Sequence, residues 1–101
     1  MALDQQERPV SNPILPDLLA LTRAAVAPAE AILERARAAL RSEFLENGRV
    51  SSRRVEANQT AAHGLAWLAT YVESLRQMQK WAEALSAADK FGEMEQLIHQ
   101  I

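Results

Sequence analysis

Along most of this chain the apolar residues recur at steps of three and four, the period of an α-helix rather than of a strand. The first stripe runs through Leu18, Leu19, Ala25, Val26, Ala29, Ile32, Leu33, Ala36, Leu40 and Phe44. It predicts an amphipathic helix from about 17 to 46, opened by Pro16 and Asp17, since proline fits a first turn and a carboxylate there favours the helix dipole. Pro28 falls inside that stripe without shifting its phase, which predicts one kinked helix instead of two. Asn47-Gly48 reads as a left-handed C-terminal cap. No Gly, Asn or Asp pair is read as a hairpin turn.

A serine, Ser51 or Ser52, caps the second predicted helix, which runs from about 52 to 88, or roughly 50 Å at 1.5 Å per residue. It carries two offset stripes. One is Val55, Ala62, Leu65, Leu68, Ala69, Val72, Leu75, Ala82 and Leu85; the other is Trp67, Tyr71, Met78, Trp81 and again Leu85. The polar residues His63, Thr70, Glu73, Gln77, Lys80 and Glu83 are left a narrow face. A helix apolar over so wide an arc packs on two sides, so this is the central element. After a turn at Asp89-Lys90-Phe91-Gly92, Met94, Leu97, Ile98 and Ile101 predict a short third helix over 92–101. No polar tail follows its apolar face, so that helix is expected to be truncated there. The organisation predicted is a polar, proline-punctuated leader (1–16) and one helical domain (17–101).

Composition supports this reading. Of 101 residues nineteen are alanine, the strongest helix former, and only three are glycine. The fold class expected is all-α: a kinked long helical hairpin with a short third helix, its bundle completed by self-association or docking. Eleven basic residues against thirteen acidic ones, a formal charge of −2, argue against a nucleic-acid partner. With no cysteine, disulfides, thiolate metal sites and cysteine nucleophiles are excluded. No apolar run approaches a membrane span and the first dozen residues are too polar for a signal peptide. A cytoplasmic protein is expected.

Candidate chemistry is sparse. His63 lacks an acidic neighbour four positions away, and a helix-surface histidine accounts for it as well as a proton shuttle does. A carboxylate-bridged metal site needs a glutamate three residues before each of two histidines; here Thr60 and Gln96 stand in those places, so no metal is expected. Glu95 and His99, four apart, suit a helix ion pair. Arg49, Arg53 and Arg54 surround the predicted turn, with Arg37 and Arg41 one and two turns back. This is a candidate anion site for a nucleotide or coenzyme A phosphate, although a solvated turn with cations near a helix C-terminus explains them too. The three glycines, Gly48, Gly64 and Gly92, make no phosphate loop, and no serine heads a triad motif. No catalytic and no cofactor-binding residue is expected. The Trp67, Tyr71, Met78, Trp81 stripe fits packing better than a cofactor box. Two helices and a stub cannot cover it, which makes it a candidate interface.

The run Ala61-Ala62-His63-Gly64-Leu65-Ala66-Trp67-Leu68-Ala69-Thr70-Tyr71-Val72-Glu73-Ser74-Leu75-Arg76-Gln77, followed by Phe91-Gly92-Glu93-Met94-Glu95-Gln96-Leu97-Ile98, resembles the N-terminal helical extension of some bacterial acyl-CoA dehydrogenases. Among these it resembles the branch acting on methylsuccinyl-CoA in the ethylmalonyl-CoA pathway. The resemblance is strongest from about Val50 to Ile101, with the first helix alike in character. It implies a parent enzyme that binds FAD and oxidises an acyl-CoA thioester at its α,β carbons, with a glutamate base and hydride transfer to the flavin. Those residues would lie in domains beyond Ile101, so no catalytic role is carried to any position here. The partners implied are the catalytic domains of that parent, or a second copy of the chain.

Overall fold

A computed structural model describes residues 12–101. Their order is α1 (Leu18–Phe44), β1 (Leu45–Glu46), β2 (Arg49–Val50), α2 (Ser52–Ala57), α3 (Gln59–Ala87) and α4 (Glu93–Gln100). The fold is mainly helical, as the periodicity requires. Helices α1 and α3, each about 40 Å long at 1.5 Å per residue, lie against one another as a hairpin, and α4 packs on α3. The first eleven residues of the expected leader lie outside the described residues.

The start of α1 departs from expectation. Asp17 is not in the first turn but precedes it, at φ 57° and ψ 34°, and its side chain makes no capping bond. Aspartate tolerates this left-handed conformation better than most residues. Its carbonyl closes the turn by accepting from Leu21 N at 3.0 Å. The helix then runs through Pro28 unbroken. The proline ring faces solvent, so the carbonyl four residues earlier, which loses its intrahelical donor, is left where water can satisfy it.

The end of α1 corrects a second expectation. Asn47-Gly48 does not cap the helix but turns a two-residue hairpin, with Leu45 opposite Val50 and Glu46 opposite Arg49. Both turn residues have positive φ, 54° and 78°. That is what a type I′ turn demands, and Asn-Gly is its favoured pair. The hairpin reverses the chain in six residues and ends when Ser51 N donates to Phe44 O at 2.8 Å.

The long second helix is also interrupted. Ser51 is the cap, its hydroxyl accepting from Arg54 N at 3.3 Å, but α2 stops at Ala57. Asn58 adopts φ −123°, ψ 38° between the two helices. Its side-chain amide donates to Arg54 O at 2.9 Å, a local bond that competes with the helical ladder. At the far end of α3, Lys90 N bonds Leu85 O and Asp89 N bonds Ser86 O. With Asp89 at φ 56°, this pair of bonds is a Schellman cap, so the expected turn at 89–92 forms by a specific device.

The core is thin. Among the described residues Leu18, Leu33, Val72 and Ala82 are the buried apolar ones, and Gln79 is buried with them. Ala25 and Ile32, placed in the first stripe by periodicity, face outward, as does Leu75 of α3. Such a hairpin has little apolar surface in its own interior and a good deal outside it.

Candidate functional site

The α1–α3 contact is where polar groups gather. Glu83 accepts from Arg23 Nε at 2.5 Å and from Gln79 Nε2 at 3.0 Å. Gln79 Nε2 also reaches Leu19 O at 3.3 Å. Further along, Arg76 Nε donates to Glu30 at 3.1 Å while its other arm holds Glu73. These bonds, Gln79's above all and then Arg23's, hold the Glu83 carboxyl below the usual carboxylate range. Gln77 and then Arg76 do the same for Glu73. The Arg76 guanidinium is raised, first by its bond to Glu30. The pairs are solvent-exposed, so they fix helix register more than they stabilise it. Glu83, assigned by periodicity to the solvent face, in fact faces α1.

With α3's charges turned toward α1, its aromatic residues are left outside. Trp67 is 49% exposed, Tyr71 59% and Trp81 36%. The Trp67 and Tyr71 rings lie 5.6 Å apart and tilted by 33°. His63 belongs to the same cluster: Trp67 Nε1 donates to His63 Nε2 at 2.7 Å. That bond leaves the imidazole proton on Nδ1 and gives the histidine a structural partner one turn away. Met78 departs from the other three. Half-buried, it lines an open groove of about 200 Å³ with Thr22, Val26, Leu75, Ile98 and His99.

The arginines are brought together only in part. Glu46, across the hairpin turn, reaches Arg53 at 3.5 Å and Arg54 at 4.0 Å. Arg49 is its cross-strand partner. Arg37 pairs instead with Glu34 on its own helix. An external anion would therefore compete with a carboxylate already seated among these cations. Glu46 is the residue that sequence reasoning missed, and reading Asn47-Gly48 as a hairpin would have found it opposite Arg49.

His99 does not form the expected helix ion pair with Glu95; its partner is Thr22, 77 positions away. Thr22 Oγ1 gives its one hydrogen to Leu19 O at 3.2 Å, so His99 Nε2, 3.0 Å from that oxygen, is the donor to it. Phe91 packs edge-on at 5.9 Å. Burial lowers the His99 pKa below its ordinary value of 6.5. The neutral ring is thus favoured in the fold, and the unfolded chain binds the extra proton. Stability from this contact is full above the unfolded pKa and is lost as pH falls through the folded one. Thermal unfolding followed between about pH 7.5 and 5.5 should show a falling Tm. His99→Gln should flatten that slope.

Among the described residues no group of three or more His, Asp or Glu is placed to hold a metal. None of the described helices is long and apolar enough to cross a membrane. Over 90 residues the chain is 54% identical to (2S)-methylsuccinyl-CoA dehydrogenase of Cereibacter sphaeroides. The chain is similar to part of an acyl-CoA dehydrogenase. The aligned stretch covers 89% of this chain and 16% of that enzyme. A span of that length takes in α1 as well as α3. No family model matches the chain, and no solved structure does.

Proposed function

We propose that this chain is a non-catalytic helical domain of an FAD-dependent acyl-CoA dehydrogenase whose substrate resembles methylsuccinyl-CoA. Its role is assembly, or shaping access to the acyl-CoA site. The observation that carries the reading is 54% identity over 89% of the chain to an enzyme of that name. In this reading the flavin and the thioester are held by other parts of such an enzyme; the three glycines, Gly48, Gly64 and Gly92, make no phosphate loop. What this chain does offer is the exposed face of Trp67, Tyr71 and Trp81. In this reading that face is covered in the assembled protein, by catalytic domains or by another copy.

The intact mass of the native polypeptide bearing this sequence tests the proposal. A mass several times 11.2 kDa, with flavin absorbance co-purifying, is expected. A native mass near 11.2 kDa would leave a stand-alone helical interaction module instead. The face itself is tested by Trp67→Ala/Trp81→Ala. Because both rings are half outside the chain's own core, helicity by circular dichroism should be unchanged. Association should weaken strongly, since aromatic truncations at buried sites cost about 3–5 kcal/mol. Normal assembly of the double variant would exclude this face as the contact.

A further inference from the structure

Helix α4 is held lightly. None of its residues is buried, and Met94 and Ile98 are 70% and 48% exposed. The Gln96 amide donates only to Phe91 O, five positions back. Among the described residues, two side chains of α4 bond distant parts of the chain: Gln100 meets Leu15 and Pro13, and His99 meets Thr22. The His99 bond is joined to the rest of the fold. Thr22 Oγ1 donates to Leu19 O, which also accepts from Gln79 Nε2, and that nitrogen reaches Glu83. A relay of hydrogen bonds thus runs from α4 through α1 to α3, and His99 is its outer end.

The relay has no place for a second proton on that ring. With its hydrogen on Nε2, His99 presents a bare lone pair at Nδ1, an atom shielded from solvent and without a partner. The groove it lines has no charged side chain: Thr22 and Val26 come from α1, and Leu75, Met78 and Gln79 from α3. Gln79 Oε1 is a second shielded acceptor without a donor, and it does not bond His99. Nearby charges are turned elsewhere. Arg23 of α1 is bonded to Glu83 of α3, and the Glu95 carboxylate, on α4 itself, lies against Gly92. In the turn that carries Phe91, Lys90 is exposed and Asp89 lines a different groove, beside Leu18 and Ser86. The terminal carboxylate of Ile101 is ionised throughout the range in which histidine titrates.

A proton added at Nδ1 is therefore a buried charge with nothing to receive its hydrogen, and the fold relieves it by letting the ring reach water. Because His99 sits near the end of a short helix with no buried residue, moving α4 disturbs less packing than parting α1 from α3. We propose that the His99–Thr22 bond is a pH-sensitive latch: on protonation α4 leaves the hairpin as a unit, uncovering the groove at Val26, Leu75 and Met78 while α1 and α3 stay paired. The acid state is thus a folded hairpin with α4 released, not an unfolded chain. Nothing in it depends on the dehydrogenase assignment.

The test is an NMR titration of the 101-residue chain from about pH 7.5 to about pH 5, with the rings of its two histidines, His63 and His99, followed separately. The amides of Leu97, Ile101 and Leu15 should move toward their unfolded positions together, on the curve traced by the His99 ring. Those of Leu33 and Val72 should keep their native positions. The opening constant of α4, read from amide exchange, should rise toward about tenfold per pH unit as pH falls below the ordinary histidine value. His99→Gln keeps a donor for Thr22 and does not titrate, so α4 should stay docked over the whole range. Thr22→Val removes the acceptor and should loosen α4 already at neutral pH with the hairpin intact. Three results would each overturn the proposal. The His99 ring titrates while α4 stays docked, its new hydrogen having found an acceptor such as Gln79 Oε1; Leu33 and Val72 lose their native signals together with α4; or the His99→Gln chain still releases α4 in acid. Should either variant fail to fold, the titration of the parent chain decides alone.

Discussion

Leu33→Ala should destabilise the chain by about 2–5 kcal/mol, the range for truncating a buried leucine. Leu33 is 6% exposed on the inner side of α1, and it is one of four buried apolar residues among those described. With so few, the loss is not shared among many neighbours, and the cavity left between two long helices has little freedom to collapse. Its neighbour supplies the control. Ile32 belongs to the same apolar stripe but is 54% exposed, so Ile32→Ala should change stability by no more than about 0.5 kcal/mol. Urea unfolding followed by circular dichroism distinguishes the two. Equal effects would mean that the inner face of α1 has been misplaced by one residue.

Ala82→Leu should act from the other helix by overfilling. Ala82 is wholly buried, one turn beyond Gln79, whose amide bonds Leu19 O at 3.3 Å. Three added carbons have no room unless the elements packed around this stretch of α3 move away, and overpacking of this kind costs about 1–3 kcal/mol. Separation would also pull Gln79 from Leu19 O and Glu83 from Arg23. The variant should therefore lose both Tm and the depressed titration of Glu83, read by carboxyl NMR. A lowered Tm with an unaltered Glu83 would indicate that the helices accommodate the leucine locally, without moving apart.

The long elements were legible because a 3.6-residue period survives any tertiary context. Leu18 to Phe44 and Leu65 to Leu85 need a helical face whatever they meet. The ends and breaks were less so, since one dipeptide serves several geometries. Asn47-Gly48 suits a helix cap and a type I′ turn equally, and only the neighbouring residues pairing across it decide. Asn58 broke a helix through a bond to Arg54 that periodicity does not register. The direction of the polar face was misread for a different reason. Glu83 was taken as outward because charges usually are, yet its partner Arg23 lies 60 positions away. Of the aromatic and methionine stripe read from spacing, Trp67, Tyr71 and Trp81 are exposed, whereas Met78 is drawn into the groove beside Ile98 and His99. Glu46 acquires its surroundings from a turn, and the local spacing of Glu95 and His99 misled because His99 binds the distant Thr22 instead.

One small contact bears on the order in which this chain assembles. Gln100 clasps the segment ahead of α1 with both ends of its amide: Oε1 accepts from Leu15 N at 2.7 Å, and Nε2 donates to Pro13 O at 2.7 Å. The two partners are separated by 85 and 87 positions. By contrast, the Asn47-Gly48 turn joins neighbours, and loop-closure entropy grows with the length closed. The reversal at Gly48 is therefore an early event and the Gln100 clasp a late one, formed after α1, α3 and α4 have found their places. It should likewise be the first to come undone. Amide exchange at Leu15 will report a partial opening well below the free energy that releases Leu33 and Val72, so the earliest loosening of the fold starts at this clasp and not in the helical hairpin.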